Sequence, residues 1–542
     1  MPGGLLNLVA TGNQNVILNG NPTKTFFKYV YAKYTNFGLQ KFRLDYSGSR
    51  TLNVSEDSHF TFKVPRYGDL VLDTCLVFTL PHIWSPIYPP KPCDVGVNCP
   101  NRYTDWSPYE FKWIENIGTQ IIKEVTITCG GLTLQKFSGN YLTTLAQRDF
   151  TNTERDLLDE MTGNIPSLYD PGNSGANVNS YPNAFFDNSP ANAEPSIRGR
   201  KLYIPISAWY SFSSKMAIPL IALQYNELNI NITLRPIKEL FKIRDVNDLE
   251  NNYPHIQPNF SNTHHLPYNF IQPPPNEELD YQKGQMINTW NADIHIMSTY
   301  AFLSQDENKV FASKDQKYLI KDIREYTFNN VVGTEKVSIP SLGMVSSWMF
   351  FFRRTDASLR NEWSNYTNWA YNNIIPQPPQ KFQKLNHDNT PPGLIITGPY
   401  NAANQKLILQ NLGILCDGKY RENLLDAGVY NYMEKYNTIG GKGAEGLYCY
   451  NFALKTSPFD LQPSGAMNMS KFKDIEFEFT TFIPTRDPNA QALTICGDDG
   501  EIIAVNKPTW MIYEYTYDMH ILEESYNILT FTSGNCGLMF AK

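Results

Sequence analysis

Along most of the chain the hydrophobic positions recur at every second residue. In LNINITL, Leu228, Ile230, Ile232 and Leu234 point one way while Asn229, Asn231 and Thr233 point the other. Phe60, Phe62 and Val64 repeat the pattern, as do Ala292, Ile294 and Ile296, then Ile475, Phe477 and Phe479. Tyr513, Tyr515 and Tyr517 are an aromatic version. This period predicts half-buried antiparallel strands, the material of sandwiches and barrels. Helical spacing is confined to two places. Asn21-Pro22 before TKTFFKYVYAKY predicts a helix capped by Asn21, with Phe27, Val30, Tyr31 and Tyr34 on one face. TERDLLDEM, with acids in its first turn, predicts a second short helix from about Thr153.

Two stretches resemble each other across the chain. Val64-Pro65-Arg66-Tyr67-Gly68-Asp69-Leu70 and Ile339-Pro340-Ser341-Leu342-Gly343-Met344-Val345 both read aliphatic-Pro-x-x-Gly-x-aliphatic before a strand. Tyr225-Asn226-Glu227-Leu228 and Tyr526-Asn527-Ile528-Leu529 each look like the opening of a final strand, 160 and 186 residues after the respective prolines. Same order and similar spacing suggest two copies of one β domain. The expected division is an arm at 1–50, a first copy at 51–237, a surface connection at 238–288 ending in Pro273-Pro274-Pro275, and a second copy at 289–542. Loop-like insertions fall at 83–109, 163–194 and 374–399, where external contacts would concentrate.

Composition narrows the class. The 542 residues suffice for two or three domains, and 42% hydrophobic against 18% charged residues argues for a folded chain. A tyrosine and phenylalanine surplus (33 and 31) suits strands and packed interfaces. The net charge of −7 argues against coating nucleic acid. Residues 1–50 run the other way: Lys24, Lys28, Lys33, Lys41, Arg43 and Arg50 face Asp45 alone, so the arm is expected to meet something different from the body. No secretory signal or membrane-length apolar run is read, and the eight cysteines are expected to be mostly free thiols, with a disulfide conceivable only at Cys93 and Cys99.

Candidate chemistry is sparse. Gly441-Lys442-Gly443-Ala444-Glu445-Gly446 fits a dinucleotide fingerprint, but a strand rather than a helix follows it, so a flexible loop is the expectation. Glu476 and Glu478 share one strand face and are conceivable as a glycosidase pair, or simply as the solvent side of an amphipathic strand. His264-His265 has no third metal ligand at useful spacing. Sequons at Asn53, Asn231, Asn259, Asn365 and Asn468 do not imply glycosylation without a secretory route. No catalytic, cofactor-binding or metal residue is assigned, and an enzyme is not expected.

Several stretches converge on one family. GGLLNLVATGNQNVILNGNPTKTFFKYVYAKYTNF resembles the N-terminal arm of the major capsid proteins of nucleocytoplasmic large DNA viruses, and YNFALKTSPFDLQPSGAMNMSKF is similar to a hallmark of their second domain. YAFLSQDENKVFA and SYNILTFTSGNCGLMFAK also match, in family order, with the mimivirus-related algal branch most similar. The resemblance implies an all-β double jelly roll, two tandem eight-stranded sandwiches, whose homotrimers form pseudo-hexagonal capsomers of an icosahedral shell. It implies neighbouring capsomers as partners, minor capsid proteins or an inner membrane against the basic arm, and outer loops open to host surfaces. Direct nucleic-acid contact is not implied, and the expected location is the virion, after assembly in host cytoplasm. In that reading Pro463-Ser464-Gly465 is an architectural turn, with Gln462 and Asn468 satisfying loop backbone groups. The alternatives are a minor or vertex capsid protein of the same fold and a carbohydrate-binding or glycoside-cleaving sandwich.

Overall fold

The computed structural model describes residues 2–85, 109–182, 184, 194–246, 253–272, 287–374, 405–485, 493–496, 502–506, 509–512 and 514–540. Cys93, Cys99, Pro273-Pro274-Pro275, Tyr513 and most of the 83–109 and 374–399 insertions lie outside them.

Two antiparallel sandwiches are built in tandem. In the first, one sheet runs Phe37–Asp45, His295–Leu303, Leu70–Thr79, Lys201–Pro205, and the facing sheet runs Ser58–Lys63, Leu228–Leu234, Ile122–Cys129, Leu132–Phe137. In the second, Gln316–Val331, Tyr517–Thr532, Met344–Arg354 and Leu447–Asn451 face Thr334–Ser338, Ile475–Thr481, Leu409–Cys416 and Lys419–Asp426. The alternating stretches form the strands expected of them. Ser58–Lys63, Leu228–Leu234 and Ile475–Thr481 each bury every second side chain.

Met344–Arg354 is buried almost throughout, and its unbroken apolar run has a simple cause. Trp348, Phe350 and Phe352 point into the core of the second sandwich. Met349 and Phe351, on the other face, join Leu447, Cys449 and Leu522 in a core continuous with the first sandwich. A strand covered on both faces has no reason to alternate.

Several expectations are corrected. Residues 21–36 form no helix; Asn21 has φ +50°, outside the extended range of an N-cap, and Phe27 is 100% exposed. An amphipathic face without a surface to bury it against gives a short helix too little stability. The second helix does form, at Asn152–Thr162, with Thr151 and Glu154 bonded reciprocally in a capping box. Tyr515 precedes its strand, which begins at Tyr517, and Tyr526-Asn527 lies inside that strand rather than opening it.

The boundaries at 50/51 and 288/289 do not follow the sheets. Phe37–Asp45 and His295–Leu303 pair along nine positions, and His295–Leu303 also pairs with Leu70–Thr79, so both belong to the first sandwich. Nor is 238–288 wholly a surface connection. Phe241–Arg244 pairs with Phe111–Trp113, and Phe241, Ile243, Ile256 and Phe270 are buried in the first core.

Candidate functional site

The residues considered for chemistry are placed apart. Glu476 and Glu478 lie on the face of Ile475–Thr481 opposite its core residues, both within 4 Å of Lys336 Nζ (3.6 and 3.7 Å). Tyr420 Oη donates to Glu478 Oε2 at 3.0 Å. His265 is buried; its Nδ1 accepts from the Asn259 N–H at 3.1 Å, and burial, reinforced by His264, brings its pKa down to about 4. Among the described residues no group of three or more potential ligands could hold a metal ion. The sequons Asn53, Asn259 and Asn468 are exposed, whereas Asn231 and Asn365 are partly buried.

The glycine-rich stretch is not a free loop. The Gly441 and Gly443 N–H groups donate to the carbonyls of Arg148 (2.8 Å) and Gln147 (2.7 Å), satisfying groups that the end of the helix Gly139–Asp149 leaves open. A Cβ at Gly441 would meet the Gln147, Arg148 and Phe150 carbonyl oxygens at 2.7–2.8 Å. The glycine permits close contact with a helix of the first sandwich, not with a phosphate.

That helix, which the sequence reading missed, is the centre of a polar seam between the sandwiches. Arg148 and Glu524, on the helix and on Tyr517–Thr532, are both fully buried. Arg148 Nη2 donates to Glu524 Oε1 at 2.8 Å and to Asp149 Oδ2 at 2.7 Å, and Nη1 to Ser347 Oγ at 3.1 Å. Tyr141 Oη donates to Glu524 Oε1 (3.1 Å), Ser347 Oγ to Glu524 Oε2 (2.9 Å) and Thr456 Oγ1 to Asp149 Oδ1 (2.6 Å). Burial opposes ionisation of Glu524, but the Arg148 and Lys321 charges and the bonds from Arg148 and Ser347 overcome it and bring its pKa to about 2. The set is closed, as a buried charge requires.

A second polar knot ties 238–257 to the turn at 356–363. Asp356 is gripped by Arg354 (2.6 Å) and Arg360 (3.2 Å); burial opposes its charge, yet Arg360 and Arg354 hold its pKa at about 2. Asn361 Nδ2 donates to the Lys238 and Phe241 carbonyls, both at 2.8 Å, and Trp363 Nε1 to the Glu239 carbonyl at 3.0 Å.

In the Pro463-Ser464-Gly465 turn, Ser464 Oγ accepts from the Lys455 N–H at 3.0 Å. Gln462 Nε2 donates to the Pro463 carbonyl (3.3 Å), and Asn468 Oδ1 accepts from the Ser470 N–H (3.1 Å). Gly465 has φ +146°, and a Cβ there would lie 2.7 Å from the Phe452 carbonyl oxygen.

The arm contrasts with all of this. Residues 2–36 are exposed almost without exception, including Ile17, Leu18, Phe26, Phe27, Tyr29 and Tyr34. The expected basic cluster is split. Lys41 bonds Thr299 (3.2 Å), Arg43 bonds Asp45 (2.7 Å) and Asp293 (2.5 Å), and Arg50 pairs with Asp45 (3.3 Å), all in the first sandwich. Lys24, Lys28 and Lys33 remain on the arm, with Lys24 Nζ 4.9 Å from the centre of the Phe26 ring.

Two sandwiches fused through a shared core and closed polar seams, carrying an unpacked arm, define a double jelly roll of the kind found in viral capsid proteins. The same fold occurs in a quasi-atomic model of the PBCV-1 virus capsid (TM-score 0.60, 19% identity, 96% of this chain and 100% of the other) and in the Faustovirus major capsid protein (0.61, 12%, 98% and 96%). Residues 25–271 match the family described as major capsid protein N-terminus, and 307–537 match the large eukaryotic DNA virus major capsid protein family. The chain belongs to the major capsid protein family of large eukaryotic DNA viruses. It is 24% identical to the major capsid protein of Paramecium bursaria Chlorella virus 1 over the whole of both chains. It is 28% identical to that of Chrysochromulina ericina virus over 62% of this chain and 55% of the relative. With capsid protein 1 of Acanthamoeba polyphaga mimivirus the figures are 27%, 60% and 44%, so the match spans about half the length of these last two relatives.

Proposed function

We propose that the chain is a shell-building subunit, working as a homotrimer whose six sandwiches form a pseudo-hexagonal capsomer. The observation that carries this reading is the fusion of the two sandwiches by a core and polar seams buried within one chain. Such a unit behaves as one rigid block, which a ring of alternating sandwiches needs. Membership of a capsid family supports a structural role over glycoside cleavage.

The arm supplies the second half of the reading. An apolar segment this exposed in a single chain is a surface awaiting a partner. We place it on the inner side of the shell, its aromatic residues under the capsomer and Lys24, Lys28 and Lys33 toward minor capsid proteins or an anionic inner membrane. The division of labour at 51–237 and 289–542 is retained with Phe37–Asp45 and His295–Leu303 reassigned to the first sandwich.

Light scattering on a sizing column tests the trimer. The expected mass is about 186 kDa, three times the 62.0 kDa chain. A folded 62.0 kDa species at high concentration, unchanged on co-expression with viral assembly proteins, would overturn the reading.

A further inference from the structure

A polar cavity of about 580 Å³ opens beside the three-stranded sheet that joins Phe111–Trp113, Phe241–Arg244 and His255–Ile256. Its floor carries Lys112 and Lys242, which sit directly opposite each other in the antiparallel pairing. Side chains at such positions are about 5 Å apart at Cβ, and like charges there repel. Lys242 is only 7% exposed. Neither ammonium has a hydrogen bond or ion pair among the described residues, and the Tyr371 ring is centred 5.8 Å from the Lys242 Nζ.

The carboxylates in reach are engaged elsewhere or lie at the rim. Glu110 pairs with Arg244 at 2.9 Å, Glu362 with Arg360 at 2.6 Å, and Asp170 accepts from Asn173 at 3.1 Å. Glu115 is exposed at the edge. Asp170, Glu115 and Glu362 offset part of the Lys112 charge from a distance, but no carboxylate among the described residues forms an ion pair with either lysine. Burial, then the neighbouring Lys242, brings the Lys112 pKa down to about 8. Burial, then Lys112, Lys242 and Arg244, pushes His255 well below its ordinary value.

A buried and a partly buried like charge side by side, with no ion pair to either, are costly unless something else uses them. We propose that this cavity binds a phosphate-bearing small anion, with the phosphate oxygens bridging the Lys112 and Lys242 ammonium groups. Lysine serves phosphate as a point charge with rotatable donors, and a tetrahedral oxyanion can accept from both at once. The volume exceeds that of bare phosphate, and the acids and tyrosines of the wall suit the hydroxyls and body of a phosphate monoester. The site lies where the first sandwich meets the 356–363 turn of the second half, so an occupant would brace that junction.

The test is calorimetric titration of the purified full-length protein with inorganic phosphate, ribose 5-phosphate and ribose at matched ionic strength. Parent protein is expected to bind phosphate saturably and ribose not at all. Tighter binding of ribose 5-phosphate would assign the ligand to phosphate monoesters, and equal binding to free phosphate. K112M and K242M should each weaken phosphate binding roughly tenfold or more, the loss of one charge-assisted hydrogen bond. Because each variant relieves the repulsion between the facing lysines, its ligand-free melting temperature should equal or exceed the parent's, which a purely structural role for the lysines would not produce. Absence of saturable phosphate and ribose 5-phosphate binding by the parent, or unchanged binding in both variants, overturns the proposal.

Discussion

The seam around Arg148 and the arm at 2–36 use the same kinds of residue to opposite ends. Both combine aromatic rings with basic side chains. In the seam every charge is met within one chain: Arg148 by Glu524 and Asp149, Glu524 also by Tyr141 and Ser347. On the arm Phe27 is 100% exposed, and among the described residues Lys24 finds only the Phe26 ring. The seam is complete in the single chain and should govern its stability. The arm is incomplete there and should govern only what the chain joins.

The sharpest way to break this contrast is Arg148→Met. It leaves Glu524 and Asp149 buried with their main counter-charge gone, a defect that costs about 3–5 kcal/mol. Chemical denaturation should show it directly, and adding Glu524→Gln should recover part of the loss. Lys24→Met should change stability by less than about 0.5 kcal/mol. Equal effects from the two single substitutions would erase the distinction.

Acid probes the same seam from another side. Glu524 and Asp356 have folded pKa values of about 2, below their unfolded values of about 4. A depressed carboxylate contributes stability that is present above the unfolded pKa and lost as pH falls toward the folded one. Unfolding free energy should therefore fall between about pH 4 and pH 2, by on the order of 2–3 kcal/mol for each group. In Arg148→Met the Glu524 share of that slope should shrink while the Asp356 share persists, which denaturation midpoints across the pH series would separate.

A smaller effect is expected at the turn that positions the strand pairing with Met344–Arg354. Gly465→Val would place a branched Cβ against the Phe452 carbonyl at a φ of +146° that suits glycine. Strain of about 1–3 kcal/mol should appear as a lower melting temperature and a reduced trimer yield. A trimer that assembles fully and melts unchanged would remove the turn from the architecture.

The same contrast marks what could be read from the residues. Strands with one buried face were legible, because a period of two survives wherever water covers the other side, as at Leu228–Leu234 and Ile475–Thr481. The duplication was legible through Pro65 and Pro340, which precede equivalent strands, whereas the two Tyr-Asn pairs fall on strands that do not correspond. Gly139–Asp149 was not, because it is buried nearly all round and includes Gln147, Arg148 and Asp149, which leaves no amphipathic stripe. Its Ser138 cap was the available signal, with Oγ accepting from the Tyr141 N–H at 3.4 Å. Gly441 was misread because mobility and close packing both ask for glycine. Phe27, Val30, Tyr31 and Tyr34 misled in reverse: their spacing describes a helix that nothing in the single chain stabilises. His295–Leu303 returns to the first sandwich through long-range pairing, which no local pattern encodes.

Removing residues 2–36 separates the two regions most cleanly. Among the described residues, the hydrogen bonds of this segment run within itself, and its apolar side chains are exposed, so the folded body loses almost nothing by the deletion. Melting and denaturation midpoints should match the full chain, as should the acid response, since Arg148, Glu524 and Asp356 are untouched. Assembly is where the deletion should act. Capsomers lacking the arm should fail to form closed shells on co-expression with viral assembly proteins, read by electron microscopy of purified particles. The effect on stability is then the smallest of the series and the effect on the particle the greatest, as expected of a segment whose folding partner is another chain. Normal shells from the truncated protein would return the arm to an inert extension. A lowered melting temperature would mean that its aromatic residues pack on their own subunit.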